Sequence, residues 1–155
     1  ADMLDDNGLG AFLRWRMSVV TSLIAEIRQS VRQDINVAVI PSVARPTGGA
    51  WHEGSDLKGQ AEAAGIIEAC FYEPGAGRVK ADLFDIKRRL RGKGKLRGIL
   101  RPAYPDFTGE AEFLAAIEAL ASGGVNELAF YNWGHLREAN VGRIAKAMKI
   151  LDGYA

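Results

Sequence analysis

Cysteine is almost missing from this chain: Cys70 stands alone among 155 residues. No disulfide can close within it, and no cysteine-based metal cluster can be assembled. The neighbours Ala69 and Phe71 suggest a buried, unreactive thiol. Histidine is nearly as scarce. His52 and His135 lack the spacing of a metal-binding pair, and no carboxylate–histidine cluster surrounds either. Neither a metal nor another cofactor is expected. An excess of one charge is missing too, since the formal net charge is +1, with charged residues at 25% and apolar residues at 48%. That composition belongs to an ordinary globular domain. It speaks against a dedicated nucleic-acid binder and against a protein working on a membrane surface. No apolar run nears the length that spans a bilayer, and the opening residues do not read as a secretion signal.

What the chain does have is alternation. Residues 1–10 are polar, with Gly8 and Gly10, and read as loop. From Ala11 to Gln33 the apolar residues Leu13, Val20, Ile24, Ile27 and Val31 recur at helical spacing. A β-branched stretch, Ile35 to Val43, reads as a strand. A short helix is expected from about Asp56 to Ala64, closed by Gly65, a residue at ease with positive φ. Ile66 to Tyr72 is a second strand, and Val79, Leu83, Ile86 and Leu90 mark one face of the next helix. Leu96 to Leu100, a helix over Glu110 to Ala121, a strand over Val125 to Tyr131 and a last helix carrying Val141, Ile144, Met148 and Leu151 complete the order. Strands alternating with helices form parallel sheets, because each crossover helix returns the chain to the same end of the sheet.

The expected fold is α/β, one half-barrel domain over residues 1–155: half of a (β/α)8 barrel, with four parallel strands. Helix-to-strand turns are short, whereas the strand-to-helix segments Arg45–Ser55, Glu73–Arg78, Pro102–Thr108 and Asn132–Arg137 are longer and carry the unusual residues. A barrel shows that asymmetry, as does an open flavodoxin-like sheet. An internal repeat favours the barrel. Ala64 to Tyr72 matches Gly123 to Tyr131 in pattern at a spacing of 59 residues, about two βα units. Arg45-Pro46 and Arg101-Pro102 end the other two strands alike.

In a barrel, residues at the C-terminal ends of the strands face the substrate. Those ends supply Arg45, Glu73, Arg101 and Asn132, with Tyr72, Tyr131 and Trp133 beside them. The adjoining loops add Trp51, Glu53, Asp106 and His135. Carboxylates, arginines and aromatic rings on one rim suit a polyhydroxylated ligand. Hydrolysis of a glycosidic bond needs two carboxyl groups, a proton donor and a nucleophile or base, and Glu73, Glu53 and Asp106 are the candidates. Arg45 and Arg101 are expected to end the strands on either side of Glu73 and flank its carboxylate. Glu68 and Glu127 repeat as well, but they fall near the starts of their strands and read as structural.

Several sharper motifs dissolve on inspection. Gly75-Ala76-Gly77 opens like a dinucleotide fingerprint, yet Lys80 stands at its third glycine position and the next strand ends in Arg101 instead of an acid. No G-x-S-x-G nucleophile elbow occurs. The basic run Lys87 to Arg97 lies at a helix-to-strand turn, opposite the rim, and reads as a solvated end favoured by the helix dipole.

The helix motif Trp15-Arg16 through Val20, Leu23-Ile24 and Ile27-Arg28, the strand ending in Phe71-Tyr72, and the final strand Gly124 to Gly134 with Phe130-Tyr131-Asn132 together resemble bacterial glycosyl-hydrolase-like barrel proteins distantly related to the α-amylase clan. The resemblance spans nearly the whole chain. It implies that these strands are the fifth to eighth of a barrel, the C-terminal half. The family's best catalytic candidate, an acid ending the fourth strand, would then lie before residue 1, and Asp2, Asp5 and Asp6 do not inherit its role.

The expected function is therefore a glycoside-hydrolase-like half that contributes to hydrolysis or binding of a carbohydrate. A non-catalytic carbohydrate-binding barrel and a phosphosugar-type barrel enzyme are the alternatives, the latter lacking glycine-rich phosphate loops here. The expected partners are a carbohydrate or other polar small molecule, and either the N-terminal half or a second copy forming a homodimer. Nucleic acid and membrane are not expected partners.

Overall fold

The computed structural model describes residues 7–42 and 50–154. Helix α1 (Asn7–Ser30) leads into β1 (Val37–Val39), α2 (Ala50–Glu53), α3 (Leu57–Ala64), β2 (Gly65–Cys70), α4 (Ala76–Leu90), β3 (Lys95–Leu100), α5 (Glu110–Ser122), β4 (Leu128–Phe130) and α6 (Glu138–Asp152). A single 3-10 turn, Trp133–His135, separates β4 from α6. The four strands form one sheet in the order β1-β2-β3-β4, and every pair is parallel.

The strand order never reverses, as it would in a doubly wound sheet. One core joins the helices to one face of the sheet: Ile67, Ala69, Phe71 and Leu100 pack with Val79, Leu83, Phe113 and Ile117. Each fully buried Phe or Ile contributes roughly 1.5–3 kcal/mol through lost apolar exposure. Strands advancing in one direction with their helices on one face make the α/β arrangement of a half barrel. The sheet is not closed, because among the described residues β1 and β4 each have one strand neighbour.

Side chains alternate across a strand, so the opposite face carries the residues between these core positions. On β2 and just beyond it these are Glu68, Cys70 and Tyr72; on β3, Arg97, Ile99 and Arg101; on β4, Glu127, Ala129 and Tyr131. In register they form levels, with Glu68 opposite Arg97 and Cys70 opposite Ile99, which is in turn opposite Ala129. This is the face that lines the interior of a closed barrel.

The elements differ from the sequence expectation mainly at their ends. Helix α1 begins at Asn7, inside the stretch read as loop, because glycines in a helix's first turns cost little when the turns beyond them carry the stripe. The ladders of β1 and β4 are three residues each, shorter than expected, since an edge strand is held from one side only. Helix α2 lies within the segment read as loop. Gly65 does close α3: its φ is +87°, and its N–H bonds the Ala61 carbonyl. Gly98 answers a different need. A Cβ there would stand 2.7 Å from the Leu128 Cδ2 and 3.5 Å from the Phe71 ring, so the Leu128 side chain occupies the space a larger residue would need.

Candidate functional site

The C-terminal rim is organised around Arg101. Its Nε and Nη2 donate to the two carboxylate oxygens of Asp106 at 2.7 and 2.6 Å. The Asp106 side chain is 2% exposed, against 32% for that of Arg101. A guanidinium fork matches a carboxylate in this bidentate way. The pairing raises the Arg101 pKa further, against the opposing effect of its burial. Local chain geometry places Asp106 correctly. Its backbone N–H and that of Phe107 return to the Ala103 carbonyl, and its own carbonyl receives the Gly75 N–H at the start of α4.

The guanidinium so held lies 4.4 Å from the centroid of the Tyr72 ring, a cation–π distance. Tyr72 and Tyr131 approach at 5.8 Å between centroids, tilted by 41°. Tyr72 sits two residues past β2 and Tyr131 one past β4, and the bonds from Phe71 N–H to the Ile99 carbonyl and from Tyr131 N–H to the Leu100 carbonyl extend the ladders toward them. Burial and the adjacent Cys70 push the Tyr72 phenol well above its ordinary pKa. Burial likewise pushes the Cys70 thiol up, in keeping with an unreactive cysteine. Beside the pair opens a cavity of about 240 Å³ lined by Arg101, Ala103, Tyr104, Tyr131, Asn132 and His135.

The rim thus brings together Tyr72, Arg101, Asp106, Tyr131, Asn132 and His135. Asn132 also has a structural task, its Oδ1 capping the 3-10 turn by accepting the Gly134 N–H at 3.0 Å. Trp133 follows it at the surface, 75% exposed. Glu73 stands just past β2. Its side chain is largely covered, and among the described residues Arg78 approaches it, Nη1 to Oε2 3.8 Å, while Arg101 turns to Asp106. The acid nearest in sequence to Arg101 along its own loop captured it. Arg45 lies outside the described residues.

Glu53 is not part of the cluster. It is exposed on α2, and α2 is carried by α1 through the bond from Arg16 Nη2 to the His52 carbonyl, 2.8 Å. Of Trp51 the structure describes the backbone, within α2. Asp106, the third acid candidate, is committed to Arg101 by both oxygens. Two rim residues escaped sequence reasoning: Arg78, brought to Glu73 by the turn at Gly75, and Arg143 of α6, whose Nη1 holds the Pro102 carbonyl at 3.0 Å. Neither carries a local sequence signal, since folding alone brings them near.

At the other end of the sheet, Lys95 and Arg97 both donate to Glu127, and Arg97 Nη1 stands 3.4 Å from Glu68 Oε1. These bonds lower the Glu127 pKa, that from Lys95 most. The basic run is solvent-exposed, as expected, and several of its members also find partners. Lys87 bonds the Gly123 carbonyl at 2.6 Å, Arg88 and Arg89 meet Asp85, and Lys93 reaches Glu62.

Among the described residues no group of histidine, cysteine and carboxylate side chains could hold a metal ion, and no helix is long and apolar enough to cross a membrane. Comparison with family models, curated proteins and solved structures finds no match for the chain.

Proposed function

We propose that the rim around Arg101 binds a carbohydrate, as one half of a glycoside-hydrolase-like barrel. The observation that carries this reading is the fixed Tyr72–Arg101–Tyr131 arrangement beside the cavity. Ligand sites combine flat apolar surface with a few placed polar groups. Here the tyrosine rings offer faces for a sugar ring, and Asp106 immobilises the guanidinium that grips hydroxyls. Holding Arg101 in place before the ligand arrives reduces the entropy lost on binding. Hydrolysis requires two carboxyl groups astride the bond. With Asp106 occupied and Glu53 on α2, Glu73 is the acid this half contributes, and the second comes from the other half.

The test is calorimetric titration of the protein with a panel of soluble α- and β-linked gluco-oligosaccharides. Tyr131→Ala and Trp133→Ala alter exposed positions and leave the core intact. Each is expected to weaken binding about tenfold, the equivalent of roughly 1.4 kcal/mol, whereas Phe84→Ala on α4 leaves it unchanged. Absence of saturable binding across the panel, or equal affinity in all three variants, overturns the proposal.

A further inference from the structure

We propose that the sugar taken by the Arg101 cavity is an acidic one, held there by its carboxylate. The inference rests on the carbohydrate reading and narrows it to uronic-acid residues.

The first observation is what lines the cavity. Its polar side chains are Arg101, Tyr104, Tyr131, Asn132 and His135, and among the described residues no acid lines it. A hydroxyl both donates and accepts, so a neutral sugar calls for acceptors as well as donors.

The second is that the acceptors bordering this space are already engaged. The Pro102 carbonyl accepts from Arg143 Nη1, and the Ala103 carbonyl accepts the N–H groups of Asp106 and Phe107. The Asn132 carbonyl accepts the His135 N–H, and its Oδ1 accepts that of Gly134. What the Asn132 side chain has left to offer is its amide nitrogen, a donor. Arg101 spends one N–H of Nε and one of Nη2 on Asp106, two of the five a guanidinium carries, which leaves three. The surplus is of donors. A carboxylate, which only accepts, matches it.

The third is an imbalance of charge. Asp106 offsets Arg101, whereas Arg143, which braces the Pro102 wall, forms no ion pair among the described residues. A cation behind a wall without acids favours an anionic guest. A carboxylate suits the place better than a phosphate does. Phosphate sites draw on backbone N–H groups left open at a helix start. Here those of Gly134, His135 and Leu136 all donate within the 3-10 turn.

The experiment titrates the protein calorimetrically with neutral gluco-oligosaccharides and with the same oligosaccharides oxidised at C6 to uronates. Linkage and length stay fixed, and only the hydroxymethyl group becomes a carboxylate. Both forms are expected to bind, the uronates about tenfold more tightly, because hydrogen bonds to charged groups outdo neutral ones. Asn132→Asp keeps the oxygen that caps Gly134 but replaces the donor with a second carboxylate oxygen. In that variant the ratio of the two affinities is expected to fall to about one, through repulsion between like charges. A folding defect would weaken both ligands together and leave the ratio as it was. Equal affinity for the two forms in the unaltered protein overturns this inference and leaves the carbohydrate reading standing. Binding of neither form removes both. Tighter binding of glucose 6-phosphate than of glucuronate assigns the anion to phosphate and overturns the carboxylate. A ratio unmoved by Asn132→Asp overturns it as well, because the anion then sits outside this cavity.

Discussion

Glu68 and Glu127 hold the same position in the two copies of the internal repeat, and both meet the guanidinium of Arg97, which lies on the strand between them. The repeat therefore has a spatial meaning. Its copies flank β3, and equivalent residues converge across it, with the glutamates toward one end and Tyr72 and Tyr131 toward the other.

That convergence has a pH signature. Lys95 and then Arg97 hold the Glu127 carboxyl below the ordinary carboxylate range. A carboxyl depressed by folding lends stability that is in place above its unfolded pKa of about 4.3 and is lost as pH falls through the folded value. Melting temperature by circular dichroism should thus decline as pH falls below about 4, and less steeply in Glu127→Gln. The difference should be small, because the network is open to solvent and salt. Parallel declines in the two proteins would show that Glu127 contributes nothing to the acid limb.

The glutamates also show what was legible beforehand. Alternation of apolar runs fixed the parallel fold, because period and order depend on local sequence. Gly65 revealed the end of α3, because a positive φ is a local demand. Pairing across strands is not local. Arg97 read as part of a solvated basic run until register set it opposite Glu68. Arg101 read as a flank for Glu73, although an acid five residues along its own loop folds back onto it. Helix α2 was missed because four residues, Ala50–Glu53, are too few to show a period.

Gly98 should accept a side chain only if Leu128 shifts. The missing Cβ would fall 2.7 Å from Leu128 Cδ2, and overpacking of this kind costs about 1–3 kcal/mol. Gly98→Ala is expected to lower the urea midpoint. Leu128→Ala also destabilises alone, but the double variant should be more stable than the two losses added together. Strict additivity in that cycle would mean that β3 and β4 separate to admit the methyl group.

Asp106→Asn tests the anchor of the rim. The amide offers one acceptor where the guanidinium now meets two, and turns a donor toward a cation. The expected loss is about 2–3 kcal/mol, in the range for hydrogen bonds to charged groups. It falls short of the cost of breaking a wholly buried pair, since the Arg101 side chain is 32% exposed. The urea midpoint should drop with an unchanged slope. An unchanged midpoint would show that Arg101 finds an equivalent partner elsewhere on the rim.

Glu73 separates binding from hydrolysis. It follows Tyr72 directly and precedes Pro74, whose ring keeps the preceding residue out of helical geometry. Its carboxylate pairs with Arg78 at 3.8 Å. If this half supplies an acid to a closed glycosidase site, Glu73→Gln preserves shape and hydrogen bonding but removes proton transfer. Oligosaccharide affinity should then stay within about threefold while hydrolysis falls roughly a hundredfold or more, the usual worth of a positioned acid or base. Glu68→Gln is the internal control, because Glu68 lies toward the opposite end of the sheet from Tyr72 and is engaged with Arg97. It should lower stability and leave turnover on the folded protein intact. Full turnover in Glu73→Gln would place the acid elsewhere, and equal losses in both variants would trace the effect to folding and remove Glu73 from the site.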